Sequence, residues 1–290
     1  MDLERGHFRH LERLRVRWAE VDLQRIVFNG HYLMYLDTAV AGWWRAMALP
    51  YEATLQHFDG DLFVRKATLE YHASARFDET LEIGVRCERI GSSSILLRGA
   101  VFRQERLLVS GELVYVFADA QAQTPKPVPA GMRALLQGFE AGEPMLDLRV
   151  GPWSGLSGPS SAIRQAVFVE EQGIAADLVT DETDAGAVHA VAFNRLGVPV
   201  ATGRLVAAGP GASKIGRMAS LASLRGAGAG RSVLEALLSA ARDRGDREVL
   251  LHAQSSAAGF YLRQGFAVRG PTFLEAGLPH VAMTRALDTL

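Results

Sequence analysis

Arg13, Arg15 and Arg17 alternate with Leu14, Val16 and Trp18, a period of two that predicts a strand with one buried face. Beyond a polar stretch around Asp22, apolar side chains recur at Leu33, Leu36, Val40, Trp43, Trp44 and Met47. That spacing predicts a helix with one broad buried stripe, ending near Pro50. Strand-like runs follow at 63–71, 95–102 and 107–117, and Leu81, Ile83, Val85 and Cys87 alternate with Glu82, Gly84, Arg86 and Glu88. One long helix followed by an antiparallel meander is an α+β layout, in which the sheet wraps or packs on the helix. Between 121 and 159 the pattern loosens around six prolines and a short helical piece at 131–139. A boundary is therefore expected within 140–150, giving domains 1–142 and 143–290.

The second half restarts with a helix around 163–171 and a hairpin whose arms, 188–193 and 198–206, flank Asn194-Arg195-Leu196-Gly197. A strand at 214–221, a glycine-rich turn and a helix carrying Val233, Leu234, Leu237, Leu238 and Ala241 come next. A strand at 248–252, a helix at 257–264 stopped by Gly265 and a strand near 280–284 close the chain. This order predicts an α/β unit with a mixed sheet and helices on its faces.

A length of 290 residues suits two domains of about 100–200 residues each. With 48% hydrophobic and 22% charged residues, the composition is that of a globular protein. Lys plus Arg total 31 against 32 Asp plus Glu, so there is no global electrostatic footprint for nucleic acid, although local phosphate sites stay open. The single cysteine, Cys87, excludes an internal disulfide and a thiolate metal cage, and suggests a reducing compartment. The charged opening residues lead into no apolar run, and no stretch of 18 apolar residues occurs. No secretory signal and no membrane span are expected, and the expected location is cytoplasmic. The eight histidines are scattered without metal-ligand spacing and G-x-S-x-G is absent, so neither a metal site nor a serine nucleophile is expected.

Candidate chemistry in the first half centres on Asp22, placed in the loop between a strand and a long helix. The unpaired N–H groups and positive dipole end of such a helix can hold a thioester carbonyl oxygen as it becomes an oxyanion. The carboxylate can attack the carbonyl or activate water; on spacing alone it is equally a turn former or cap. Arg15-Val16-Arg17-Trp18 through Asp22, Ile26-Val27-Phe28, Tyr32 and Tyr35-Leu36-Asp37-Thr38-Ala39 resemble hotdog-fold thioesterases of the 4-hydroxybenzoyl-CoA and acyl-CoA thioester hydrolase type. Ala75-Arg76-Phe77-Asp78-Glu79-Thr80-Leu81 is similar to the start of that family's long strands, and the likeness covers about residues 13–137. It implies an α+β hotdog domain with a long helix wrapped by antiparallel sheet, Asp22 as the catalytic carboxylate, and a homodimer joined edge to edge. Acyl-CoA would bind across the subunit interface, where Trp43 and Trp44 suit burial as well as they suit an ordinary core. Arg25 stands where many members have Gly, and Asn29 where some bacterial relatives carry His, with His31 two positions on.

In the second half, Arg225-Gly226-Ala227-Gly228-Ala229-Gly230-Arg231-Ser232 opens an amphipathic helix. Its glycines let the main chain approach an anion, and its N–H groups suit a phosphate or pyrophosphate. Three strands precede the turn and no lysine follows it, which argues against both nucleotide-binding folds that use such turns. The signature R/Q-x-x-G-x-G/A at Arg225, Gly228 and Gly230 resembles the GNAT superfamily of acyl-CoA-dependent N-acyltransferases over about residues 145–288. Segments 164–173, 181–184, 215–219, 252–254, 260–266 and 277–281 add to the likeness, among them Arg164, Asp181, Asp184 and Arg217.

This resemblance implies an α/β GNAT domain, a mixed sheet with splayed strands and flanking helices. The donor would be acetyl-CoA or another acyl-CoA and the acceptor an unidentified amine. Met218 and Ala219 would pair with the pantetheine arm, and Arg225, Gly226, Ala227, Gly228, Ala229, Gly230 and Arg231 would hold the pyrophosphate. Tyr261 would protonate the departing thiolate, a role a phenol suits; the plain alternative is a core aromatic beside Phe260. Glu170, Glu171, Glu182, His189, His252 and His280 are candidates for the general base, and Ser255 and Ser256 stand where many members have Asn. The whole is expected to be a two-domain enzyme of CoA thioesters, hydrolysing in its first half and transferring to an amine in its second. Its partners would be acyl-CoA, the amine and a second copy, with no nucleic acid and no membrane. The alternative is one catalytic domain beside a CoA-binding or dimerisation module.

Overall fold

The computed structural model describes residues 3–287 and divides between Met145 and Leu146 into two compact units. Among the described residues no helix is long and apolar enough to cross a membrane.

The first unit is a five-stranded antiparallel sheet in the order β1 (Leu11–Arg15), β3 (Thr80–Ile90), β4 (Ser94–Arg103), β5 (Arg106–Ala118), β2 (Asp61–Tyr71). Helix α1 (Asn29–Ala46) lies across it, followed by α2 (Tyr51–His57) and, after the sheet, α3 (Ala130–Glu140). The helix sits close because Gly99 and Gly111 face each other across β4 and β5. A Cβ on either would come within 2.6 and 3.0 Å of the Leu36 methyls, so the paired glycines form a seat for that side chain. Tyr35, Leu36, Ala39, Val40, Trp43 and Trp44 complete the buried face of α1. The helix stops four residues before Pro50, where Ala48 takes the left-handed conformation (φ 55°).

One expectation is corrected here, and of two readings left open for Trp43 and Trp44 the ordinary core is the one observed. The opening strand ends at Arg15, and Trp18 is 77% exposed in a 3-10 turn at Trp18–Glu20. The cause is Glu20, whose carboxylate accepts a hydrogen bond from the Arg17 N–H at 2.7 Å and closes the turn before the alternation can continue. Trp43 and Trp44 are 1% and 2% exposed within this one chain, so their burial needs no partner subunit. The Trp43 indole N–H (3.1 Å) and the Cys87 amide (2.8 Å) both donate to the Glu140 carboxylate, which ties α3 to α1 and β3. Burial, and then the Glu140 charge, push the Cys87 thiol up to about 12.

The second unit is an eight-stranded mixed sheet. Its strands run β11 (Ala267–Val268), β13 (Leu278–Ala286), β10 (Glu248–Gln254), β9 (Ala212–Ser220), β8 (Pro199–Gly209), β7 (Val188–Asn194), β6 (Leu146–Pro152), with β12 (Phe273–Glu275) paired to β13. Only β9 and β10 are parallel. Helix α5 (Ala229–Asp243) buries Val233, Leu234, Leu237, Leu238 and Ala241 on one face, and the short α6 (Ala258–Arg263) adds Tyr261 to the same core. On the other face α4 (Trp153–Arg164), continued by a π-helical segment at Gln165–Glu171, packs Leu156, Ile163 and Val167 against Val191, Phe193 and Ala219. The helix expected at 163–171 thus starts ten residues earlier and runs through Pro159 before widening into the π-helical turn. At the hairpin tip the Asn194 side-chain oxygen accepts from the amides of Leu196 and Val198, both at 3.0 Å, and Gly197 takes φ 74°.

Candidate active sites

The loop carrying Asp22 is tied at both ends. Val21 pairs with Val27, Ile26 pairs with Arg76, and the Asp22 amide donates to the Ile26 carbonyl at 2.9 Å. Inside this loop the Arg25 amide donates to the Asp22 carbonyl (2.9 Å) and the Gln24 amide to Asp22 Oδ1 (2.8 Å), an Asx turn. Arg25 has φ 61°, the left-handed conformation that glycine favours, and its side chain projects into solvent rather than crowding the turn. Asp22, Phe28, Asn29, Tyr32 and Tyr71 line a cavity of about 290 Å³ at the start of α1. Phe28 caps that helix with no side-chain hydrogen bond, which leaves the first-turn amides of Asn29 and Gly30 available to a ligand oxygen. His31 lies behind this wall, its ring edge-on to Phe28 at 6.0 Å.

Glu20 was not singled out by the sequence. Its carboxylate is buried and takes hydrogen bonds from the Arg17 amide and guanidinium and from the Tyr35 hydroxyl (2.8 Å). Burial pushes this carboxyl up, but those bonds outweigh burial and hold it below the usual range. Since the Glu20 carbonyl also accepts from the Phe28 amide (2.9 Å), this residue fixes where α1 begins relative to Asp22. Two helical turns along, α1, α2 and the sheet enclose a second cavity of about 310 Å³, walled by Val40, Trp43, Trp44, Tyr51, Leu97 and Tyr115. Asp37 stands at it, its carboxyl raised by burial.

The second unit builds its site from main chain. The parallel ladder of β9 and β10 ends at Ile215 and Leu251. Beyond it β9 continues with β8 and β10 with β13, so the two strands separate into a fork. A bulge in β9 opposite 202–204, with Arg217 at φ 53°, re-aims Met218 and Ala219 at the fork. The turn 225–230 closes the wide end. Gly226 and Gly228 take φ 90° and 88° with open space around them, and a Cβ on Gly230 would lie 2.9 Å from Ser220 Oγ. Helix α5 then presents its N-terminus to this opening. Unpaired strand edge, bare turn and helix terminus together suit a long thioester carrying phosphates.

Residues 24–110 match the thioesterase superfamily, and residues 162–287 match the acetyltransferase (GNAT) domain family. An uncharacterized N-acetyltransferase of Bacillus subtilis (strain 168), YjcF, is 36% identical over 124 residues, covering 42% of this chain and 87% of that protein. The chain is a fusion of a thioesterase-superfamily domain and a GNAT domain. The acyl-CoA thioester hydrolase YbgC of Escherichia coli O157:H7 is 26% identical over 122 residues, covering 42% of this chain and 90% of that protein. A solved acyl-CoA N-acyltransferase from Pseudomonas aeruginosa shares 31% identity over 49% of this chain and 99% of its own, with a TM-score of 0.44. The thioesterase match begins two residues after Asp22, so it does not include that residue.

In the GNAT domain, Met218, Ala229 and Tyr261 belong to one apolar core. Tyr261 is 8% exposed between Phe260 and Phe266 (ring centres 4.9 and 5.9 Å), and burial pushes its phenol well up, keeping it protonated. Arg225 turns away from the glycine turn and binds Glu171 through two hydrogen bonds of 2.7 and 2.6 Å, while Arg231 pairs with Glu235. The turn's own contribution is therefore its amides. Among the base candidates, Glu171 is engaged by Arg225, and Glu170 and Glu182 are exposed. His189 is fully buried against Trp153 (4.8 Å) with Nε2 on the Asp184 carbonyl (2.9 Å), so it reaches no substrate.

A buried charge network, spread over 54 positions of sequence, explains several of the matched segments. Arg164 and Asp184 are 0% and 1% exposed and joined by two bonds of 2.8 and 3.0 Å. Arg204 bridges Asp181 (2.8 and 2.7 Å) and Asp184 (2.8 Å), and Arg217 binds Asp181 at 2.8 Å. Because Arg217 is the bulge residue, the network holds the conformation that aims Met218 and Ala219. Hydrogen bonds from Arg204, followed by Thr183 and the nearby guanidinium charges, outweigh burial and hold the Asp181 carboxyl far below the usual range.

Proposed function

We propose that the chain is a bifunctional enzyme of CoA thioesters, its first domain hydrolysing an acyl-CoA and its second passing an acetyl or other acyl group from CoA to an amine. One observation carries this reading. Each half sets unpaired main-chain N–H groups beside a proton carrier: in the first, the start of α1 at Asn29 beside Asp22 in one cavity; in the second, the β9 fork beside the Tyr261 core.

In the hydrolase, Asp22 takes a proton from water as the water oxygen attacks the thioester carbonyl. The amides at the start of α1 hold the resulting oxyanion, and its collapse expels the CoA thiolate, which recovers the proton from Asp22. The apolar cavity beside Trp43 and Trp44 offers room for the acyl part. The 11-residue edge of β2, with Val64 and Tyr71 more than half exposed, suits pairing with the same strand of a second copy. In the transferase, the amine nitrogen attacks the thioester carbon, the C–S bond breaks and the Tyr261 hydroxyl gives its proton to the thiolate. A second reading, with the first domain as a binding or dimerisation module, is favoured by one feature: Asp22 Oδ1 already serves the Gln24 amide.

Release of CoA from acetyl-, medium-chain, long-chain and aryl-CoA, without amine, tests the pair of assignments. Turnover lost in Asp22→Asn and kept in Tyr261→Phe supports the hydrolase; turnover equal in Asp22→Asn and wild type overturns it. Amine-dependent release that Tyr261→Phe slows supports the transferase.

A further inference from the structure

The point where the β9–β10 ladder ends also decides which side chain stands nearest the narrow end of the fork. The last rung joins Ile215 to Leu251, so His252 is the first residue of β10 beyond it. Leu251 and Ala253 are buried in the core under α5. Strand alternation therefore turns His252 to the opposite face. On that face Gln254 donates to the Gln172 side chain at 2.9 Å, at the end of the π-helical segment. An acceptor entering the fork from the side away from α5 meets this surface.

There the His252 ring is held from two strands, β12 and β9. Nδ1 lies 2.5 Å from Glu275 Oε2 on β12 and 3.3 Å from Lys214 Nζ on β9. The ring also packs edge-on to Phe273 (4.9 Å), on whose far side His280 of β13 is stacked. Nδ1 cannot both donate to a carboxylate and accept from an ammonium, so the shorter contact assigns its proton, directed at Glu275. Nε2 keeps its lone pair, with no partner among the described residues, on a side chain 34% exposed. Burial pushes the Glu275 carboxyl up, but the His252 hydrogen bond and the nearby Lys214 ammonium hold it below the usual range, ionised at neutral pH. A carboxylate on Nδ1 fixes the ring and stabilises the imidazolium formed when Nε2 takes a proton. The other candidates have no such arrangement: His280 donates Nδ1–H to the Leu278 carbonyl and lies 9% exposed.

We infer that His252, oriented by Glu275, is the general base of acyl transfer, an inference that rests on reading the second domain as an acyl-CoA-dependent N-acyltransferase. The amine nitrogen forms its bond to the carbonyl carbon and its proton passes to His252 Nε2. The C–S bond breaks, and the thiolate takes the Tyr261 proton. The products are an amide and free CoA, and the imidazolium and the phenolate return to their starting states by proton exchange with water.

The test uses the full chain with Asp22→Asn, so that the first domain releases no CoA, and acetyl-CoA as the probe. Calorimetry reads binding to the second domain as the heat that Gly228→Glu removes. Absence of that heat overturns the transferase reading and the role of His252 with it. With binding established, carbethoxylation of histidines by diethyl pyrocarbonate, read peptide by peptide in a mass spectrometer, is expected to show His252 protected by acetyl-CoA and His57 unchanged. Binding without protection of His252 overturns its role alone. For any of spermidine, tryptamine or glucosamine that is acylated, His252→Gln is expected to lower kcat about 100-fold, leave acetyl-CoA affinity unchanged and alter the pH profile of the rate. Glu275→Gln is expected to give a smaller loss; a pH profile unaltered in His252→Gln overturns the assignment.

Discussion

The two helix-opening loops put opposite resources at the same kind of place. The loop before α1 has Arg25 at φ 61° and delivers a carboxylate; the turn before α5 has Gly226 and Gly228 at φ 90° and 88° and delivers bare amides. In the first, glycine is dispensable because the loop is held by Asp22, Glu20 and two short bridges. In the second nothing lies within 4 Å of a Cβ on Gly226 or Gly228, and any side chain there would stand where the proposed phosphate would approach. On the proposed function, one site would act through a side chain that a single substitution removes, the other through a backbone shape that substitutions can only distort.

The sharpest break of this comparison is Asp22→Asn. It is expected to lower acyl-CoA hydrolysis about 10²–10⁴-fold, the range of a lost acid–base group, with thermal stability nearly unchanged. In the second unit an effect as large comes from a residue that touches no ligand. Asp184→Asn leaves Arg164 buried and uncompensated, which is expected to cost about 3–5 kcal/mol and to lower the calorimetric transition of that unit. Acid should act on the same network. Asp181 and Asp184 have depressed folded-state values, so their stabilisation is complete above the ordinary carboxylate value of about 4. It is lost as pH falls from there towards the folded values, and the second transition should drop more steeply with acid than the first. Gly228→Ala meets no atom within 4 Å but forces a Cβ into the left-handed region, a cost of about 1–2 kcal/mol that weaker acetyl-CoA binding should accompany. Arg25→Gly is the mirror experiment and the smallest effect: release of the left-handed penalty, offset by glycine's entropy, is expected to stabilise the first unit by about 1 kcal/mol or less.

Much of this was legible where burial is periodic. Helix α1 and the strands β3 to β5 follow their apolar spacing because each has one face on a core. Strand β6 was overlooked although Leu146, Leu148 and Val150 alternate with Asp147 and Arg149, because it is a short edge paired only with β7 in a stretch loosened by prolines. The glycine turn could be read from its letters, since only glycine tolerates that backbone at no steric cost. The fork could not, because it is the end of a ladder rather than a residue type. Arg164, Asp181, Asp184 and Arg217 stood out by resemblance alone; their reason appears only when Arg204, three strands into the unit, is seen to join them. Glu20 was overlooked beside Asp22 because nothing in a local pattern separates a buried carboxylate from an exposed one.

The lone cysteine has a practical bearing on all these assays. A thiol raised to about 12 and lodged in β3 against α3 stays protonated at neutral pH, and the protonated form does not attack disulfide reagents or alkylating agents. In the folded protein a thiol-trapping signal is therefore expected to come from CoA, and a slow increment of one equivalent per chain would announce unfolding of the first unit rather than catalysis.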